Sequence, residues 1–159
     1  ADLPRVAELL QRTNQLNASG RRTGLRDLEQ LHRSGSGIIV VTASDRFGDY
    51  GLIGAATFTD DGGRRTLGEF AFSCRAMGRG IEGATLSYLA DQAGADGLDA
   101  LEIMVVATTR NAEIIRIIGE AGFTADADGT HRLQVGRGHE AVPFPGWLDV
   151  HTPAMRRVL

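Results

Sequence analysis

The chain has 159 residues, 42% hydrophobic and 23% charged, a balance typical of one folded domain. All 17 basic residues are arginine, which excludes Schiff-base chemistry and a phosphate-binding lysine. The single cysteine, Cys74, excludes an intramolecular disulfide and a cysteine-based zinc site, and a net charge of -3 argues against nucleic acid as a partner.

Residues 1–159 are predicted to form a single domain. It comprises a helical N-terminal segment at 1–34, a core at 38–135 and an irregular tail at 136–159 that is apolar enough to pack down. Arginine pairs are expected on the solvated surface, at 21–22, 64–65 and 156–157. No apolar run reaches the ~18 residues of a membrane span and no secretory signal is visible, so we expect a cytoplasmic protein without a membrane partner.

Two helices are predicted at the start of the chain. Asp2 is expected to cap a helix that runs to about Leu16, and a shorter helix follows Thr23. Three strands come next, at 38–42, 52–58 and 66–72. The first two are joined by a loop at 45–50 and the last two by an Asp-Asp-Gly-Gly turn at 60–63, which predicts an antiparallel meander.

The second half of the chain alternates helices with strands. The predicted helices lie at 80–93 and 111–120, and the predicted strands at 101–107 and 131–135. Gly122 is placed to cap the second of these helices. The order predicts an α/β fold with a mixed central sheet, formed by an antiparallel meander and then β-α-β-α-β, with helices on both faces.

A glycine-containing turn links the third strand to the following helix. Gly78 and Gly80 allow a ligand to approach the backbone, and the free N–H groups of the first helical turn attract phosphate. The same pattern is also typical of an ordinary strand-to-helix turn.

This turn resembles the pyrophosphate loop of the Gcn5-related N-acetyltransferases, which reads Arg/Gln-x-x-Gly-x-Gly/Ala between a strand and a helix. Arg75-Ala-Met-Gly78-Arg79-Gly80 fits that wording, and Asn111 with Gly122-Phe123 resembles a second family feature, an Asn-started helix that ends in Gly-Phe. The resemblance implies an acyltransferase fold that binds coenzyme A or an acyl-CoA. The cofactor-binding residues that it implies are Phe72, Ser73, Arg75, Met77, Gly78, Arg79, Gly80, Ile81 and Asn111.

Three segments, at 12–17, 45–51 and 73–82, also look like the C-terminal domain of FkbH-like proteins of polyketide pathways. The resemblance implies that a glyceryl-type unit, derived from a three-carbon glycolytic acid, is placed on the phosphopantetheine of an acyl carrier protein. It also implies a partner, the haloacid-dehalogenase-like part of such proteins. That part is missing from this sequence, so we expect the chain to be a portion of a larger or separately encoded enzyme.

Two departures separate the chain from an ordinary acetyltransferase. The tyrosine that serves many relatives as the acid for the departing thiolate is replaced by Ile118. The family's loop motif can also be aligned on the start of the helix instead of on Arg75. Met77 then takes the place of the loop arginine, and Glu82 takes the place of a loop glycine. A carboxylate at that position would repel a pyrophosphate. Both departures disfavour coenzyme A more than phosphopantetheine, which carries one phosphate rather than three.

Cys74 and Glu69 are the candidate catalytic residues. Cys74 is interpreted either as a thioester-forming nucleophile or as a small buried hydrophobic residue, and Glu69 either as a general base or as a solvent-facing strand carboxylate. Asn14, Asp49 and Tyr50 are candidates for binding the acyl substrate. No metal site is predicted because the four histidines are scattered without ligand spacing.

Three functions stay open at this point. The first is acyl transfer to a carrier protein, as in FkbH-like proteins. The second is acetyl-CoA-dependent N-acetylation of a small amine. The third is a catalytically silent module that docks a carrier protein.

Overall fold

The computed structural model describes residues 2–136 and 145–152. The helices are α1 (Leu3–Arg12), α2 (Leu25–Arg33), α3 (Ile81–Ala95) and α4 (Ala112–Glu120). The strands are β1 (Gly37–Asp45), β2 (Gly48–Asp61), β3 (Arg64–Phe72), β4 (Ala100–Met104), β5 (Thr124–Ala125) and β6 (Thr130–Gln134). A short 3-10 helix, Cys74–Ala76, lies between β3 and α3.

The six strands form one mixed sheet in the order β1-β2-β3-β4-β6-β5. Strands β1, β2 and β3 are the antiparallel meander, β3 and β4 pair in parallel, and β6 pairs antiparallel with both β4 and β5. The parallel pair needs a crossover connection, which α3 provides. The mixed sheet predicted from the element order is therefore confirmed.

Each face of the sheet buries a separate hydrophobic core. Side chains alternate along β3, so Ala71 packs with α1 and α2 on one face, while Phe70 and Phe72 pack with α3 and α4 on the other. The two phenylalanine rings meet edge to face, with centroids 5.0 Å apart. Helices consequently cover both faces, as predicted.

Several element ends differ from the predictions. Helix α1 ends at Arg12 rather than Leu16, because the residues that follow pair with the sheet instead. The Asp2 side chain makes no capping bond, and its carbonyl oxygen accepts from the first turn instead. The predicted loop at 45–50 is a hairpin in which β1 and β2 extend almost to the turn, and β4 ends at Met104 rather than at residue 107.

Arg65 does not lie on the surface as predicted. It is 0% exposed, donates to Asp60 at 2.8 Å and to Asp96 at 2.7 Å, and stacks its guanidinium 4.3 Å from the centre of the Phe58 ring. Two carboxylates and an aromatic face compensate for the loss of water around this charge. Arg65 thereby links the end of α3 to the middle of the sheet.

Two left-handed glycines make the turn from β3 into α3. Gly78 and Gly80 have φ angles of 75° and 74°, which favour glycine, and α3 begins directly after them at Ile81. A side chain at Gly80 would also meet Pro145, whose Cγ lies 2.9 Å from the position of an added Cβ. The part of the tail at 145–152 therefore contacts the start of α3, in line with the prediction that the tail packs against the domain. Residues 137–144 and 153–159 of the tail lie outside the described residues.

Glu82 lies in the first turn of α3 and points into the protein. Its side chain is 1% exposed, and Oε1 has no hydrogen-bond partner among the described residues. Burial raises the pKa of this carboxyl, and the nearby Glu113 carboxylate adds to the effect. Glu82 is therefore directed away from the solvent-facing side of the glycine turn, where its charge was expected to repel a phosphate.

We predict that Gly80→Ala destabilises the protein by about 1–2 kcal/mol, because it forces a left-handed backbone on alanine and a contact with Pro145. Gly83→Ala is the matched control, since Gly83 lies in α3 with nothing within 4 Å of an added Cβ. The control should be neutral or slightly stabilising. Urea unfolding of both variants measures the difference, and equal midpoints would contradict this account of the turn.

We predict a pH-dependent gain in stability for Glu82→Gln. The folded-state pKa of Glu82 lies above its unfolded value of about 4.5, so wild-type stability falls as pH rises through that value toward the folded-state pKa. The variant should melt a few degrees above wild type at pH 8, and the gap should close at pH 4. Asp128→Asn is the control, because a hydrogen bond from the Thr130 backbone lowers the Asp128 pKa and removal of its charge should not stabilise the protein at pH 8. If the melting temperatures of Glu82→Gln and wild type differ by the same amount at both pH values, the effect does not come from titration of Glu82.

No helix within 2–136 and 145–152 is both long enough and apolar enough to cross a lipid bilayer.

Candidate active site

The parallel strands β3 and β4 separate halfway along, and residues 16–18 fill the gap between them. Pairing runs only from Arg64–Ala100 to Leu67–Ile103. Beyond it, the amide of Phe72 donates to the carbonyl of Leu16 at 2.8 Å. Residues 16–18, hereafter the inserted segment, thus satisfy a strand edge that would otherwise be free.

Ala18 connects the inserted segment to both sides of the gap. Its amide donates to the carbonyl of Phe70 at 3.0 Å, and its carbonyl accepts from the amide of Val106 at 3.0 Å. Leu16, Asn17 and Ala18 are each 1% exposed. The sheet is therefore closed at this point by the chain itself.

Glu69 anchors the loop that follows the inserted segment. Its Oε2 accepts from the Ser19 hydroxyl at 2.6 Å and its Oε1 from the Thr23 hydroxyl at 2.5 Å, with the Arg21 guanidinium 3.5 Å away. The side chain is 3% exposed, so the solvent-facing interpretation is wrong. The carboxylate lies outside the lining of the cleft described below and holds the loop through Ser19 and Thr23, and its assignment as a general base stays a prediction.

Asn111 is equally committed to the protein itself. It is 0% exposed, donates to the carbonyls of Asn17 at 3.0 Å and Val106 at 2.9 Å, and accepts from the amide of Thr108 at 2.8 Å. A cofactor could reach this side chain only by displacing these bonds. In this structure Asn111 therefore holds the inserted segment, and its role in cofactor binding stays a prediction.

A cleft of about 670 Å³ opens beside the inserted segment, at the carboxyl end of β3. Its walls come from α1, the chain after α1, β2, β3, the 3-10 helix and the loop before α4. The lining residues are Arg5, Glu8, Leu9, Arg12, Thr13, Asn14, Gln15, Leu16, Leu52, Phe72, Ser73, Cys74, Arg75 and Arg110. Among the predicted site residues, the cleft brings together Asn14, Phe72, Ser73, Cys74 and Arg75.

Cys74 is exposed at the wall of this cleft. It is a free cysteine at the start of the 3-10 helix, directly after the buried end of β3. Its interpretation as a small buried hydrophobic residue is therefore wrong. An accessible thiol beside a cavity has the placement that a nucleophile requires.

The charge of the cleft was not predicted from the sequence. Arg5, Arg12, Arg75 and Arg110 line it together with a single carboxylate, that of Glu8, which pairs with Arg12 at 2.9 Å. These arginines are far apart in the chain, so only the fold brings them together. The one local signal was the spacing of seven between Arg5 and Arg12, which places both on one face of α1.

Tyr50 lies against the glycine turn and does not line the cleft. Its hydroxyl donates to Asp45 at 2.7 Å and accepts from Arg79 at 3.2 Å, and the Arg79 guanidinium lies 4.7 Å from the centre of its ring. The Tyr50 hydroxyl and the Phe47 amide lower the pKa of Asp45. This cluster fixes the β1–β2 hairpin to the turn before α3.

The remaining candidates for acyl binding have local roles. Asp49 accepts from the amide of Gly51 at 2.7 Å, a bond within its own hairpin, and it is absent from the cleft lining. Asn14 lines the cleft, where its Oδ1 accepts from Arg22 at 2.6 Å. Only Asn14 is therefore placed where the predicted substrate contact could occur.

The glycine turn brings the first backbone N–H groups of α3 together with two arginines. Helix α3 has no side-chain cap, because its N-cap residue is Gly80. Arg75 and Arg79 are exposed beside it, as is Met77, whereas Ile81 is 9% exposed. The carbonyl of Arg79 accepts from the indole of Trp147 at 3.1 Å. The turn has the donors and the charge that fit a phosphate.

Ile118 is fully buried in the core between α4 and the sheet and has no proton to donate. In the part of the chain that the structure describes, no group of three or more His, Cys, Asp or Glu side chains could hold a metal ion. His139 lies outside that part.

Sequence comparison gives no match, either to a protein-family model or to a curated protein. Solved structures do match in three dimensions. The ribosomal-protein-S18-alanine N-acetyltransferase from Escherichia coli superposes with a TM-score of 0.66 at 18% identity, over 90% of this chain and 94% of that chain. A spermidine N-acetyltransferase from Vibrio cholerae, in complex with CoA and spermine, gives 0.60 at 14% identity, over 84% and 89%.

A GNAT-family N-acetyltransferase from Escherichia coli, in complex with CoA, has a TM-score of 0.60 at 15% identity, over 84% of this chain and 76% of that chain. At such identities the comparisons establish architecture. The mixed six-stranded sheet with helices on both faces matches the architecture of these proteins. The chain has the Gcn5-related N-acetyltransferase fold.

Proposed function

We propose that the chain is an acyltransferase that takes an acyl thioester of phosphopantetheine and carries out the transfer at Cys74. The observation that carries the proposal is the position of this exposed thiol, on the wall of an arginine-lined cleft and one short 3-10 helix before the glycine turn. The proposed phosphate site and the proposed nucleophile lie on the same stretch of chain.

The glycine turn would hold the phosphate of the donor. The uncapped N-terminus of α3 supplies N–H donors, and Arg75 and Arg79 supply positive charge. Glu82 points into the protein, so its carboxylate does not face the position proposed for the phosphate. Phosphopantetheine or coenzyme A would provide the thioester here, and the chain's own residues would provide binding and the nucleophile.

The closed sheet constrains where the thioester can lie. Because the inserted segment occupies the β3 edge at Phe70 and Phe72, an extended ligand has no free backbone to pair with there. The free surface begins at Ser73 and Cys74 and leads into the cleft. This geometry favours an approach along residues 73–75.

The proposed step is a thiol-thioester exchange. The Cys74 sulfur gives up its proton and attacks the thioester carbonyl carbon; the carbon-sulfur bond to the donor breaks, and the released thiolate takes up a proton. The acyl group is left as a thioester on Cys74, and the reverse exchange delivers it to an acceptor thiol. Arg75, which follows Cys74 in the chain and lines the cleft, would stabilise the oxyanion of the tetrahedral intermediate.

We propose that the acceptor is the phosphopantetheine of an acyl carrier protein. The transferred unit would be a glyceryl-type group, supplied by a haloacid-dehalogenase-like partner. The support is the sequence resemblance of the segments at 12–17, 45–51 and 73–82, together with the positive cleft that the first and third of them help to line. A hydroxylated or acidic acyl group suits guanidinium donors.

The alternative acceptor is a small amine, with acetyl-CoA as donor. The resemblance in fold to solved N-acetyltransferases supports it. Against it stand the four arginines of the cleft, which repel a protonated amine. A silent docking module would have no use for an exposed thiol at the cleft.

We predict that the wild-type chain, incubated with an acyl phosphopantetheine thioester, gains the mass of one acyl group, and that hydroxylamine removes it. Cys74→Ser should gain no thioester, and its transfer to free pantetheine should fall by about a thousandfold. Intact-mass spectrometry is decisive because Cys74 is the single cysteine of the chain. The single tryptophan, Trp147, next to the glycine turn, reports donor binding separately through its fluorescence.

Ser73→Ala is the control for this experiment, because it changes the neighbouring side chain and keeps the thiol. Transfer by Cys74→Ser at the wild-type rate would contradict the proposal. Acetylation of amines by that variant from acetyl-CoA would favour the alternative, and donor binding without any transfer would favour a docking module.

A further inference from the structure

We infer that the arginine-lined cleft binds the anionic end of the acyl group, so that the preferred substrate is a small organic acid with a carboxylate or phosphate several bonds from its thioester carbonyl. This inference rests on the proposed function, since it adds an anionic end group to the three-carbon acyl unit that Cys74 is proposed to receive. Two features of the cleft support it: the positive charge of Arg5 and Arg110, and a volume larger than a thioester alone would fill. The exchange at Cys74 requires neither.

One wall of the cleft is a positively charged face of α1. Arg5, Glu8 and Arg12 follow one another at intervals of three and four residues, which places them on the same side of the helix. Glu8 pairs with Arg12. Arg5 has no ion pair among the described residues, so its charge is available to a ligand.

Two more guanidinium groups line the cleft from distant parts of the chain. Arg75 donates to the carbonyl of Tyr50 at 3.1 Å, a bond that fixes its position and leaves its charge without a carboxylate. Arg110, before α4, likewise has no ion pair within the described part of the chain. Like charges that converge on one cavity raise the local concentration of anions, and the effect is screened by salt.

The rest of the lining fits a short carbon chain between the anion and the sulfur. Leu9, Leu52 and Phe72 provide apolar surface, and Asn14 and Ser73 provide polar atoms near Cys74. A cavity of about 670 Å³ accommodates a small acid together with part of a thioester arm. Arginine forks recognise carboxylate and phosphate with two parallel hydrogen bonds, which gives selectivity for such groups over neutral ones.

The experiment is a calorimetric titration of the full chain with phosphoglycolate, malonate, inorganic phosphate and glycerol in low salt. We expect phosphoglycolate or malonate to bind and glycerol not to bind, and the better of the two probes decides between a phosphate and a carboxylate. Arg5→Gln and Arg110→Gln should each weaken binding of the anion by about tenfold, as expected for the loss of one charge-assisted bond. Arg46→Gln, an exposed arginine outside the cleft, is the control and should bind as the wild type does.

Two results would overturn the inference. One is the absence of binding by all three anions at millimolar concentration. The other is anion binding that is unchanged in Arg5→Gln and Arg110→Gln and is lost in Arg79→Gln, which would place the anion at the glycine turn.

Acylation of Cys74 by a neutral acetyl thioester separates this inference from the proposed function. Acetyl transfer has no anionic end to recognise, so Arg5→Gln should retain it. If acetylation of Cys74 proceeds while the cleft binds no anion, the inference about the substrate fails and the proposed function stands. If the anions bind and Cys74 is never acylated, the proposed function fails.

Discussion

Three backbone hydrogen bonds hold residues 16–18 between β3 and β4, and the rest of the site depends on them. They join Phe72 to Leu16, and Ala18 to both Phe70 and Val106. Buried strand edges must be paired, and in this fold the parallel strands part too early to pair with each other. The inserted segment supplies the missing partner.

The neighbouring structure follows from that pairing. Helix α1 must end at Arg12, since the next residues are needed in extended form. Glu69 accepts two hydroxyl hydrogen bonds to keep the following loop on the sheet, and Asn111 ties the inserted segment to the start of α4. Two polar residues that resemble site residues therefore serve the backbone, and the open surface is shifted to Cys74 and the cleft beside it.

Local signals in the sequence predicted the order of elements and the mixed sheet. The glycines before α3 and the Asp-Asp-Gly-Gly turn have conformations that few other residues allow, so their positions could be read directly. The burial of Glu69 and Arg65, the role of Asn111 and the convergence of four arginines depend on contacts between residues far apart in the chain. No periodicity within one segment encodes such contacts, which explains why Cys74 was identified from the sequence while the charge around it was not.

Amide hydrogen exchange at Ala18, Phe72 and Val106 tests the closed sheet most directly. The account predicts that these amides exchange as slowly as those in the β2–β3 ladder, and that they remain protected when an acyl phosphopantetheine thioester binds. Exchange at the rate of an unpaired, solvent-exposed amide, or loss of protection on binding, would contradict it, because either result means that the gap between β3 and β4 opens to the ligand.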